Sequence, residues 1–270
     1  MTAPVRFAVI GRPLAHSLSA LIHQEAFRRL GMPATYERIE MDPGSVAAFL
    51  DRAAREGFRG LNVTIPLKEE ALGAARTVSA EARDIGAANV LSFDGEAWRA
   101  HNTDARAFRS TLPKGIEAAL VLGAGGAGRA CIFALCQDRR RVFVSARSTA
   151  RARRVAAAFG VEMVPWEDRH AAVRDVDLVV NATPVGTHGE GSPLDTLEGA
   201  TERLVLYDLV YRPPVTPFLA MGAAGGFETV GGAAMLAAQA ALSWGPWFGV
   251  TGPKAFFEAR LRRQLKTEGE

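Results

Sequence analysis

The residues of this 270-residue chain that most plainly suit chemistry are Gly123-Ala124-Gly125-Gly126-Ala127-Gly128. A short apolar run, Leu120-Val121-Leu122, leads into them, and a helix from Arg129 to about Gln137 is predicted to follow. Glycines spaced G-x-G-x-x-G between a strand and a helix let the backbone approach a pyrophosphate, which then sits on the helix N-terminus. Without that context they would be only a glycine-rich turn, so the context is what points to a dinucleotide. The end of the next predicted strand, Arg141–Ala146, decides which one. An acid about 20 residues past the loop would accept from the ribose 2′-hydroxyl of NAD. This chain has Arg147, Ser148 and Arg151 there, and no Asp or Glu between Arg139 and Gly160. A guanidinium grips a 2′-phosphate in two-pronged fashion. NADP is therefore the expected cofactor. The competing reading makes Arg147 and Arg151 a solvated helix start, although cations there oppose the helix dipole.

A redox cofactor gives meaning to polar residues in the first half. Asn62 and Thr64 share one face of a predicted strand, and Lys68 stands just beyond its end. Asn89 and then Asn102-Thr103-Asp104 follow. Hydride transfer to a ketone builds negative charge on oxygen and needs a proton donor, while the reverse needs a base. Lysine is a good donor and a poor base, and burial or a nearby carboxylate tunes it. One Lys and one Asp suit a carbonyl–alcohol interconversion. The simpler alternative pairs Lys68 with Glu69 or Glu70 at the surface. Ser17 and Ser19, at a strand-to-helix junction, are equally readable as helix caps.

Those residues must be positioned by an α/β framework. Val5–Ile10, Tyr36–Ile39 and Gly60–Ile65 read as strands, and Ser19–Leu30 and Val46–Glu56 as helices closed by glycine. Val90–Phe93 and Trp98–Ala100 flank Asp94-Gly95 as in a hairpin. Leu178–Val180 and Leu204–Leu209 are further buried strands, and Ala233–Phe248 and Lys254–Leu265 are helices. Strands alternating with helices indicate layered α/β architecture. The composition, 48% hydrophobic and 23% charged, suits a chain with a real core. A net charge of +3, with four lysines, 28 arginines and no long basic block, argues against a nucleic-acid partner. No run of about 18 apolar residues suggests a membrane span. Cys131 and Cys136, five apart in one predicted helix, face different ways and do not suit a disulfide. A reduced, cytoplasmic setting is the expectation.

The ordered motifs together resemble the shikimate dehydrogenase family. They are Ala15-His16-Ser17-Leu18-Ser19, Asn62-Val63-Thr64-Ile65-Pro66-Leu67-Lys68-Glu69, Gly86-Ala87-Ala88-Asn89 and Asn102-Thr103-Asp104. The set continues through the glycine loop, Asn181-Ala182-Thr183-Pro184-Val185-Gly186, Asp208-Leu209-Val210-Tyr211-Arg212-Pro213 and Met235-Leu236-Ala237-Ala238-Gln239-Ala240. The resemblance implies NADPH-dependent reduction of 3-dehydroshikimate to shikimate, in aromatic amino-acid biosynthesis. It implies an α/β fold of two domains: a substrate domain of residues 1–104 completed by 232–270, and a Rossmann-like NADP domain of 105–231. Ser17 and Ser19 then hold the substrate carboxylate. Thr64, Asn89, Asp104 and Gln239 hold the ring hydroxyls, with Asn62 and Tyr211 nearby. Lys68, paired with Asp104, is the acid/base. Leu209 and Gly232 line the nicotinamide, and Thr183 lies near the cofactor.

Several positions depart from the family pattern. Ala146 and Ser148 stand where Asn and Thr are common, which thins the phosphate clamp. Val90 replaces a hydroxyl-bearing Thr, Ala100-His101 replaces a Gly-containing pair, and Ala234 replaces Gly. None removes a proton-transfer group, but they bear on fine specificity. His16 reads as shaping the serine loop, and Trp244 and Trp247 as packing. The remaining histidines lack metal-site spacing, so no metal is expected. Rival readings are a quinate or aminoshikimate paralogue and a non-catalytic NADP-binding sensor. A small-molecule substrate is the expected partner, with a homodimer as the assembly considered.

Overall fold

A computed structural model describes residues 3–268. Contacts divide the chain into two compact units. The first holds the residues up to Asp104 and then Ala237–Leu261, and the second holds Ala105–Leu236 and the residues from Arg262 on.

The first unit contains β1 (Val5–Gly11), α1 (Ser19–Arg29), β2 (Ala34–Glu40), α2 (Val46–Arg55), β3 (Phe58–Val63), α3 (Lys68–Ala74), β4 (Thr77–Val78), α4 (Ala80–Ile85), β5 (Val90–Phe93) and β6 (Trp98–His101). The strands form one mixed sheet in the order β2-β1-β3-β5-β6-β4. The parallel trio β2-β1-β3 has its carboxyl ends at Gly11, Glu40 and Val63. The β5–β6 hairpin forms where Asp94-Gly95 predicts it, with Asp94 Oδ1 accepting from the Glu96 and Ala97 amides. One apolar core runs beneath the sheet through Ile10, Phe49, Leu61, Leu67 and Leu91. On another side Phe7 packs 5.1 Å from both Trp247 and Phe248. The indole N–H groups are satisfied: Trp247 donates to Leu91 O at 3.0 Å and Trp244 to His23 Nδ1 at 3.1 Å. Both tryptophans are packing residues.

The second unit starts with α5 (Asp104–Arg109), whose first residue closes the first unit. It continues with β7 (Ala118–Leu122), α6 (Gly126–Gln137), β8 (Arg141–Ser145), α7 (Thr149–Phe159), β9 (Glu162–Met163), a 3₁₀ turn at Ala171–Asp175, β10 (Leu178–Asn181), β11 (Val205–Asp208), α8 (Pro217–Ala224) and β12 (Glu228–Val230). Helices α9 (Ala233–Phe248) and α10 (Lys254–Glu268) complete the chain. All strand pairs of the second sheet are parallel, in the order β12-β11-β10-β7-β8-β9. Strand order reverses beside β7, which makes its carboxyl end a topological switch point, where open parallel sheets bind ligands.

Sequence periodicity misses α8 because its residues are apolar all round. Its start is marked by Thr216, whose hydroxyl accepts from the Leu219 amide at 3.3 Å, and by Pro217 in the first turn. Helix α6 begins at Gly126, three residues before the predicted start, because the last glycines of the loop are themselves its first turn.

Candidate functional site

In the first unit Lys68 is the first residue of α3, placed by the turn that leaves β3. Its Nζ lies 2.5 Å from Asp104 Oδ2, with the Lys68 and Asp104 side chains 15% and 6% exposed. Glu70 is not its partner: its two carboxylate oxygens accept from the Gly44 and Val46 amides. The surface pair with Glu70 therefore fails on geometry, and among the described residues Lys68 makes no ion pair with Glu69. The other Asp104 oxygen accepts from Asn89 Nδ2 at 2.8 Å, and Asn102 Oδ1 accepts from the Asp104 amide at 3.0 Å. Asn89 Oδ1 accepts from the Thr103 amide at 2.7 Å, and Gln239 Oε1 is 3.5 Å from Asn89 Nδ2. A charged pair shielded from water is strengthened by the low local dielectric, and every further hydrogen bond fixes its geometry.

Asn62 is buried with both ends engaged. Tyr36 OH donates to its Oδ1 at 2.6 Å, and its Nδ2 donates to Ser243 Oγ at 2.9 Å. Ser243 in turn donates to Gln239 O at 2.8 Å. Asn62 thus ties β3 to helix α9 through Ser243. Neither Tyr36 nor Ser243 stands out in the sequence, since a strand Tyr and a helix Ser are common types. The nearest signal is Asn62 itself, an amide in an otherwise apolar strand. Behind Tyr36, His23 stacks at 4.6 Å, and burial pushes its imidazole down to about 3, so it is neutral.

Ser17 and Ser19 are buried, at 9% and 6% exposure. Leu18 occupies the N-cap position of α1, with no side-chain cap bond, so capping does not explain the serines. Ser17 Oγ only meets the Ser19 amide, at 3.4 Å. Thr64, half-buried, follows β3, and its amide donates to Ile10 O at 2.9 Å. Direct bonds thus join Lys68, Asn89, Asp104 and Gln239, and Asn62 joins through Ser243. The side chains of Ser17, Ser19 and Thr64 stand apart from that network among the described residues, and Tyr211 belongs to the second unit.

In the second unit the glycine loop closes tightly. A Cβ on Gly128 would lie 2.1 Å from Gly123 O, and one on Gly123, at φ +117°, would lie 2.8 Å from Ala182 O. Gly125 caps α6 without any side chain, which leaves the amides of the first turn, at Gly126, Ala127 and Gly128, to an incoming acceptor. Ala124 is buried beside them. This cradle fits a pyrophosphate. Past β8, Ser148 caps α7 by accepting from the Arg151 amide at 3.4 Å. Arg147 and Arg151 are exposed, and no acid lies in the first turn of α7. These groups fit a 2′-phosphate.

Further along the same edge, Asn181 Oδ1 accepts from the amide and hydroxyl of Thr183, at 3.0 and 2.6 Å. Gly232 abuts Leu209: a Cβ there would lie 2.4 Å from Leu209 O. Among the described residues no group of three metal-ligating side chains occurs, and no helix is long and apolar enough to cross a membrane.

Two family models match: the shikimate dehydrogenase substrate binding domain over residues 9–91, and shikimate / quinate 5-dehydrogenase over residues 111–188. The chain is 42% identical to a shikimate dehydrogenase (NADP(+)) of Thermus thermophilus, covering 97% of this chain and 99% of that one. It is 38% identical to the Methanocella arvoryzae protein of the same name, over 96% and 98%. Among solved structures, shikimate 5-dehydrogenase of Thermus thermophilus in complex with NADP(H) and shikimate superposes with a TM-score of 0.86. That match is 40% identical and covers 96% of this chain and 99% of that one. The two α/β units, the second a parallel Rossmann-like sheet, match that fold. The chain belongs to the shikimate dehydrogenase family.

Proposed function

We infer that this chain catalyses the reversible, NADPH-dependent reduction of 3-dehydroshikimate to shikimate, the step its relatives are named for. It is an oxidoreductase acting on a CH–OH group with NADP. The observation that carries the residue assignment is the largely buried Lys68–Asp104 pair, held by Asn89, which itself lies within hydrogen-bond distance of Gln239.

The first unit is read as the substrate unit and the second as the NADP unit. NADP, when bound, supplies or accepts the hydride. Lys68 Nζ gives a proton to the carbonyl oxygen as it gains negative charge, and takes it back in the oxidation. Asp104 keeps that ammonium in place and, with Thr64, Asn89 and Gln239, orients the ring hydroxyls. Asn62, with both ends of its amide engaged by Tyr36 and Ser243, contacts no substrate. Ser17 and Ser19 hold the substrate carboxylate, and Tyr211 completes the substrate contacts. The amides of Gly126–Gly128 hold the pyrophosphate, and Arg147 and Arg151 hold the 2′-phosphate. Leu209, Gly232 and Thr183 line the nicotinamide half. Cys131 and Cys136, which form no disulfide among the described residues, support a reducing, cytoplasmic setting. The assembly proposed is a homodimer, which sedimentation would test.

The test is formation of reduced cofactor by the purified protein with shikimate or quinate, each with NADP⁺ or NAD⁺. Fastest turnover with shikimate and NADP⁺ is expected. Absence of turnover with shikimate and either cofactor would overturn the assignment, and faster quinate oxidation would turn it to the paralogue.

A further inference from the structure

The carboxyl ends of β10 and β11 carry a second polar network, and the reaction above gives its central residue, Asp208, no role. Asp208 is completely buried at the end of β11. Its Oδ1 accepts from Asn181 Nδ2 and from the Val210 amide, both at 2.9 Å, and its Oδ2 accepts from Thr216 Oγ1 at 2.6 Å. All three donors are uncharged, and no ion pair involves Asp208 among the described residues. A carboxylate in that state is expensive to bury. Burial pushes its carboxyl up to about 6, against the opposing pull of its three hydrogen bonds.

What the carboxylate connects explains its place. Asn181 uses its other end on Thr183, and Ala182 between them forms the wall against which Gly123 is packed. On the other side, Asp208 is followed by Leu209, whose carbonyl is the wall against Gly232. In an open parallel sheet a dinucleotide lies across the carboxyl ends of the strands on either side of the switch point. Arg147 at the end of β8 marks the adenosine side, so the other half of the cofactor falls at β10 and β11.

We propose that Asp208 is a positioning residue for the nicotinamide half of NADP(H), tying the Asn181–Thr183 turn to the Leu209–Val210 turn. The proposal rests on the dinucleotide reading of the glycine loop. Its job is to hold two backbone walls at a fixed spacing, and it takes no part in proton transfer.

Calorimetric titration of the full-length chain with NADP⁺ at pH 8 tests this, together with KM for shikimate and Tm. Asp208→Ala removes all three hydrogen bonds, cuts both links and is expected to raise the NADP⁺ Kd about tenfold. KM for shikimate should stay within about twofold. Asp208→Asn keeps an oxygen for Asn181 and Val210. It should bind NADP⁺ within about threefold of wild type with a Tm equal to or above it. Should Asp208→Ala fail to fold, Asn181→Ala removes the same link and is expected to give the same tenfold rise. Unchanged NADP⁺ affinity in the folded Ala variant would overturn the proposal. So would an Asn variant as weak as the Ala variant, or equal losses of NADP⁺ and shikimate binding. A wild-type chain that binds no NADP⁺ at all would instead sink the dinucleotide reading.

Discussion

Asp104 and Asp208 are both buried carboxylates at the start of a polar network, and they differ in one respect. Asp104 faces the ammonium of Lys68 at 2.5 Å, whereas Asp208 faces only uncharged donors. A cation beside a buried carboxylate compensates its charge and at the same time becomes a group held ready to move a proton. Uncharged donors compensate in part and leave a rigid acceptor that ties backbone together. The first arrangement belongs with chemistry, and the second with holding a surface in shape. Substitutions on either side separate the two roles.

The largest effect is expected at Lys68. Lys68→Ala should lower kcat by about 10²–10⁴-fold, the usual span for a lost general acid, with KM for shikimate little changed. Steady-state rates of shikimate oxidation check it. A loss confined to KM would move Lys68 from proton transfer to binding.

Asp208 should show itself in stability rather than rate, with a sign fixed by its titration. Its carboxyl is raised from 3.8 to about 6, so the folded chain holds that proton more tightly than the unfolded chain does. The stability this contributes is fully present below about 3.8 and is lost as pH rises through about 6, a change of about 3 kcal/mol. Asp208→Asn should flatten that part of the curve in chemical unfolding across this range. An unchanged slope would mean that the burial of Asp208 is relieved in solution.

The two networks also differ in how far the sequence announces them. Lys68 and Asp104 can be singled out because charged types stand at predicted strand ends beside a dinucleotide loop. Their pairing cannot be proved that way, because 36 residues separate them and only the β3–β5–β6 arrangement brings Lys68 to Asp104. Asp208, Asn181 and Thr216 differ again, since the first two stand out only as parts of motifs and the third not at all. Nothing in a lone Asp says that it will be sealed off without a cation, since burial is a property of the packed sheet. The strands and longer helices follow from periodicity and glycine stops. Two-residue strands such as β4 and β9, and the all-apolar α8, carry no period to read. Tyr36 and Ser243 escape for a related reason: each is an ordinary residue whose role comes from the neighbour it meets.

A smaller effect is expected at the edge of the second sheet. Arg147→Ala should lower the preference for NADP⁺ over NAD⁺ about tenfold, a charge-assisted hydrogen bond at a solvent-exposed site. Ratios of kcat/KM for the two cofactors measure it, and an unchanged ratio would return Arg147 to the role of a solvated helix start. Ser148→Ala should act mainly on stability, since the Ser148 hydroxyl caps α7.

The serine loop gives the smallest change and the finest test of the contrast between a binding group and a structural one. Ser17 and Ser19 are buried, yet Leu18 holds the N-cap position of α1 and neither hydroxyl caps it. A capping serine would cost about 1 kcal/mol of stability on replacement and leave KM alone. A serine that donates to a carboxylate would leave Tm nearly unchanged and raise KM several-fold, since a hydrogen bond contributes about 1 kcal/mol net. Ser17→Ala is therefore expected to raise KM for shikimate with Tm little changed from wild type. The reverse pattern would make the buried hydroxyls part of the α1 fold and leave the substrate carboxylate to other groups. Because kcat should not move in either case, the measurement also separates this loop from Lys68, where only kcat should.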